Sequence, residues 1–240
     1  MIADTAAELR DLARGSADAS GYFAALYARV TGRIAEATDA GRFADGARMD
    51  AFASTFAGYY LRARTDGGRP RCWQAAADVV GDRSLLIVQH LLLGINAHVN
   101  HDLALAVVDV AAGGDLDGVR GDFDAVNDVL ADTYVEVLAD LDRVSRWVNQ
   151  AALLGGGRLF NFSLRAARRQ AWVAAGELHR RPSPDGREAY RAQLDDLVSV
   201  LAYLVTRPPA PLRPLVGLAR RLEEDDPAIV TDALLGEHGR

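Results

Sequence analysis

Apolar side chains recur every three to four residues along nearly the whole chain. Phe23, Leu26, Tyr27, Val30 and Ile34 form one such run, Phe52, Phe56, Tyr59 and Tyr60 another, and Val126, Leu130, Val137, Leu141, Val144 and Val148 a third. That period lays an apolar stripe along a series of helices, and no stretch keeps the strict alternation of a half-buried strand. Clusters of glycine and proline at 41–46, 67–70, 113–114, 155–157, 182–186 and 208–209 separate the runs, since these residues favour turns over helix continuation. The pattern predicts an all-α fold, a single-domain bundle of about seven or eight helices. The bundle would occupy residues 1–207, with 208–240 as a helical appendage packed on it or reaching a partner. Ser20 and Asp122 stand where caps of the second and fifth helices are expected.

The segment His90–Asp102, HLLLGINAHVNHD, is apolar on almost every side yet carries three of the five histidines. It predicts a central buried His-rich helix. With His90 at zero, His101 falls at about 20°, Gly94 at about 40°, His98 at about 80° and Asp102 at about 120°, so one face holds every ionisable group. Burying several imidazoles and a carboxylate is costly unless each finds a partner, and a divalent ion satisfies several at once. Cys72 is the only cysteine, so nitrogen and oxygen would do the holding. His90, His98 and His101 are the candidate ligands of zinc or iron, with Asp102 a ligand or an orienting catalytic group. Gly94 would leave a hollow for an ion or a small substrate. On another side of the same helix Gln89, Asn96 and Asn100 form a polar stripe that would fasten neighbouring backbones or line a second wall of a pocket, the structural role being favoured.

The run from Arg158 to His179 supplies further candidates, because Asn161, Arg165, Arg168, Trp172 and His179 share one helical face. Arg168 would orient a carboxylate or phosphate, and His179 would act as a further ligand or as an acid/base. Arg165, Trp172 and Tyr59 would join Gly94 in lining a substrate pocket. Asp124, Asp128 and Asp132 oppose the apolar stripe of their helix and read as a solvated acidic face. The chain has no H-E-x-x-H, no G-x-S-x-G and no glycine-rich phosphate loop after a strand.

A net charge of −6, with arginines scattered among acids, argues against nucleic acid as a partner. The N-terminus has no apolar core of a signal peptide, and the apolar stretches are interrupted short of a membrane span. A cytoplasmic protein with a small-molecule substrate and no membrane contact is expected. HLLLGINAHVNHDLALAV, followed by DFDAVNDVL and ARRQAWVAAGELH, resembles an uncharacterised family of bacterial all-helical proteins known only as a domain of unknown function. The likeness runs over roughly residues 20–205; it implies the helical fold and the His-rich site and brings no activity.

The expected function is a metal-dependent enzyme, most simply a hydrolase whose bound water is acidified by a divalent ion. The same ligands around iron would make an oxygenase. A non-catalytic ligand-binding or interaction module, with the histidines and asparagines closing a buried polar network, is the alternative.

Overall fold

The structure, a computed structural model, describes residues 1–65, 68–111, 114, 116–148 and 157–237. The described residues fold into helices α1 (Ile2–Arg14), α2 (Ser20–Asp39), α3 (Gly46–Thr65), α4 (Arg71–Ala77), α5 (Ile87–Ala111), α6 (Asp117–Val144), α7 (Gly157–His179), α8 (Pro184–Thr206), α9 (Arg213–Arg220) and α10 (Pro227–Leu235), with no β-strand among them. Helices α4, α9 and α10 are short, at 7, 8 and 9 residues; the longer ones follow the apolar runs of the sequence.

Helix α5 packs on α2, α4 and α8 through its first half and on α3 and α7 through its second. It is long and apolar enough, by length and composition, to cross a membrane, although the sequence reading takes its polar residues as breaks. Yet 72% of its most apolar window is buried inside the protein, against the described neighbours that surround it. Its polar stripe behaves as expected: Gln89 donates to the Val205 carbonyl at 2.7 Å, Asn96 to that of Val198 at 2.9 Å, and Asn100 to Asn96. Two side chains of α5 thus hold the backbone of α8.

Several helix starts are capped by carboxylates from far along the chain. Asp50 accepts from the amide of Ile2, and Asp195 from those of Arg71 and Cys72. Glu223 accepts from Ile87 at the start of α5, and also from Ser145 and Trp147. Asp122 lies inside α6, not at its beginning; it accepts from the amides of Ala44 and Asp45, just before α3, and from Arg48. The expectation that Asp122 caps its own helix is therefore corrected: a buried carboxylate facing another helix's free amides is stabilised there by the same electrostatics. At α2 it is Asp18 that accepts from the Ser20 amide, at 2.9 Å, while Ser20 is itself the first helical residue.

Beyond Pro208 the helices α9 and α10 pack differently. α10 lies against α1, α2 and α6 with Val230 and Leu234 fully buried, whereas α9 buries no residue and exposes Leu215 and Leu218.

Candidate functional site

In the middle of α5 the backbone widens into one π-turn, His98–Asp102, closed by the Leu103 amide on the His98 carbonyl. Such a turn holds about one extra residue and is frequent where function needs an unusual side-chain array. Here it gathers three polar side chains around one carboxylate. Asp102, 1% exposed, has His98 Nδ1 at 3.0 Å from one oxygen and His101 Nδ1 at 2.8 Å from the other. Trp73 Nε1 donates to the first oxygen at 2.9 Å. Burial alone would raise the Asp102 carboxyl, but the hydrogen bonds from His101 and His98 outweigh it and hold it below the usual carboxylate range. Asp102 is thus an anion with its oxygens committed to indole and imidazole.

The carboxylate fixes the tautomer of His98: Nδ1 carries the proton and Nε2 the lone pair. Nε2 is buried and has no hydrogen-bond partner among the described residues. The ring is stacked on Phe56 at 3.6 Å between centroids, with Tyr27 edge-on at 4.5 Å. Burial holds His98 below its ordinary 6.5, against the opposing pull of Asp102. His98 is a neutral, oriented base in an aromatic box.

The site opens on a cavity of about 240 Å³. Its walls come from α2 (Phe23, Tyr27, Ile34), α3 (Met49, Phe56), α5 (Val88, Leu92, Val99) and α6 (Val126, Leu130, Leu141), with His98 and Arg168 among the few polar residues reaching it. Arg168, 5% exposed, donates from Nε to Asn127 at 2.9 Å and from Nη2 to the Phe123 carbonyl at 2.6 Å, its guanidinium 4.3 Å over the Phe123 ring. Burial pulls its pKa down to about 10, so it stays charged at neutral pH.

The remaining candidates lie elsewhere. His90 faces a separate cleft with Asp18, Arg64 and Trp73, edge-on to Tyr22, and burial lowers its pKa. It does not join His98 and His101 in one cluster. The Gly94 hollow is also filled: a Cβ there would come within 2.7 Å of three atoms of Phe23, so Gly94 permits close packing and holds no vacancy. Tyr59 donates to Asp109 at 2.6 Å and carries Arg62 over its ring, away from the cavity walls. Arg165 is exposed, 3.9 Å from Asp128, and Trp172 packs between Phe123 and Arg120. His179 ends α7 half-buried, and the Asn161 side chain lies outside the described residues. Among the described residues no group of three or more His, Cys, Asp or Glu side chains is arranged to hold a metal ion. Cys72 is buried, and its thiol is pushed up by burial and by Asp195, the opposite of the setting that makes a reactive thiolate. The cavity escaped the sequence reading because its walls are ordinary apolar stripes, visible as a cavity only once four helices are assembled.

The two depressed histidines predict the pH response. Their unfolded forms take up protons near 6.5 while the folded forms do not, so the stabilisation is complete above that value and falls as pH drops through it. Urea denaturation should show the midpoint declining from about pH 7 to about pH 5, with a shallower decline in His98→Gln.

A family model described as "Family of unknown function (DUF5995)" matches residues 2–208. No curated protein and no solved structure matches the chain.

Proposed function

We propose, from the premise that this chain belongs to the DUF5995 family of unknown function and takes no activity from it, that it binds a small, largely apolar molecule in the cavity beside His98. The observation that carries this reading is the lone pair of His98 Nε2, buried with no partner among the described residues at an apolar cavity. An unpaired buried acceptor costs free energy, and ligand sites combine apolar walls with a few oriented polar groups. A ligand hydroxyl would satisfy the nitrogen. The Asp102–His98 pair would also let that nitrogen take a proton from the bound molecule, as oriented histidines do in general-base catalysis. The class of function is therefore ligand binding, with base chemistry within reach of the same atom.

The test is titration with the neutral dye N-phenylnaphthylamine, whose fluorescence rises in apolar surroundings. Saturable binding to one site is expected, abolished in Leu130→Trp, which fills the cavity. A medium-chain alcohol should displace the dye about 2- to 10-fold better than the alkane of equal length, the worth of one hydrogen bond, and His98→Phe should erase that margin. No saturable binding to the wild type would overturn the reading.

A divalent-metal enzyme, hydrolase or iron oxygenase, is kept as a second reading for one reason: a carboxylate on Nδ1 with Nε2 open is how metal-binding histidines are oriented. His98 would then be one ligand and the other donors would have to come from His101 or from residues outside those described. Elemental analysis of untagged protein tests it. Near-stoichiometric zinc or iron, lost in a folded His98→Ala/His101→Ala variant, would favour the metal reading over the apolar-ligand one.

A further inference from the structure

Among the described residues Arg168 has no counter-charge in contact, and Asp124 acts on it only from beyond ion-pair distance. Both its hydrogen-bond partners, Asn127 Oδ1 and the Phe123 carbonyl, are neutral, and among the described residues no carboxylate lies within ion-pair distance of it. Those two bonds use two of the five N–H donors of a guanidinium. The group is nonetheless 5% exposed and lies at the wall of the same apolar cavity. A buried cation is expensive unless paired. Surface arginines of this chain do pair: Arg33 with Glu136, Arg71 with Asp196 and Arg120 with Asp124.

Among the described residues that line the cavity, Arg168 alone carries a permanent charge. Arg168 is held by Phe123 and Asn127, and Val99, next to His98, packs in the same cluster as Phe123. From there the wall runs along α6 to Leu141, roughly 21 Å from Asn127 at the rise of a helix, and back along α5 to Val88, roughly 16 Å from Val99. Ile95, Leu92, Leu138 and Leu141 line that far part. The shape suits a head group at Arg168 and an extended hydrocarbon tail.

We infer that the occupant of this cavity is a long-chain carboxylic acid, its carboxylate forked onto Arg168 and its chain laid along α5 and α6. The inference rests on the apolar-ligand reading and adds the chemical class. Carboxylate fits the guanidinium because two parallel N–H···O bonds match its geometry and neutralise it in place. His98 then faces the chain beside the head group, where it would accept from a hydroxyl on a chain that carries one, as in a hydroxy acid.

The experiment is displacement of N-phenylnaphthylamine from wild-type protein by dodecanoic acid, dodecanol and methyl dodecanoate at neutral pH. The acid should bind at least about tenfold tighter than the other two, the margin of a charge-assisted pair. Arg168→Met should bring the three to within about threefold while still binding the dye, with thermal unfolding confirming a folded variant. Arg168→Lys, which keeps charge but loses the fork, should fall between and stands in if the methionine variant does not fold. Equal displacement by acid, alcohol and ester in the wild type would overturn the carboxylate assignment and leave the apolar site standing. Preference for the acid that survives Arg168→Met would overturn the role of Arg168. Failure of the dye itself to bind would instead overturn the apolar-ligand reading.

Discussion

Asp102→Ala lowers the unfolding free energy by about 3–5 kcal/mol, the range seen when one member of a buried charged network is removed. Trp73 Nε1, His98 Nδ1 and His101 Nδ1 all point at the missing carboxylate, and at a site this deep no solvent replaces it. Each stranded donor carries its own desolvation cost, about 1–3 kcal/mol, with partial relaxation keeping the total below the sum. Urea denaturation reads the change in midpoint. Asp102→Asn should cost less, because one oxygen remains, but its amide nitrogen meets an N–H, so the histidine on that side loses its orientation. A loss below about 1 kcal/mol for the alanine variant would mean that the three donors find other partners and that the carboxylate is not the hub of the site.

Gly94→Ala is the second large effect. The added methyl must displace Phe23, a residue already packed against Tyr27, Tyr60, Trp73 and His98. Overpacking of this kind costs about 1–3 kcal/mol, occasionally more, and exceeds the gain of about 1 kcal/mol that alanine brings to a helix interior. Because Phe23 also lines the cavity, dye binding should weaken in the same variant. Unchanged thermal stability would show that Phe23 has room to move.

The sequence carried the helical architecture plainly, because apolar periodicity is written locally and each long helix keeps its stripe. It carried the Asp102 cluster in part. His98, His101 and Asp102 do meet, and their spacing is what brings them together, but the meeting is around a carboxylate. His90 shares their helical wheel yet faces another cleft. The wheel assigns direction, not neighbours, and α2 and α4 fill the space between. Arg168 was legible as a residue of the inner stripe of α7 and is buried there, whereas Arg165 on the same stripe reaches solvent at its rim. The caps were legible least. Asp50, Asp122, Asp195 and Glu223 serve helices that begin dozens of residues away, and a local signature cannot report an acceptor that only the assembled fold delivers.

The π-turn at His98–Asp102 amounts to one inserted residue in an otherwise regular helix. Its first half serves α2, α4 and α8 and its second half α3 and α7. A turn of this kind absorbs its extra residue locally, so removing one residue there, such as Val99, would let the hydrogen-bonded ladder close as a plain α-helix with both halves near their present phase, whereas a deletion elsewhere in α5 would turn everything downstream by about 100°. Leu103, Ala104 and Val107, all fully buried, would then keep their places, and the change would fall on the spacing of the histidines and the carboxylate. The extra residue thus belongs to the site, and the packing of α5 does without it.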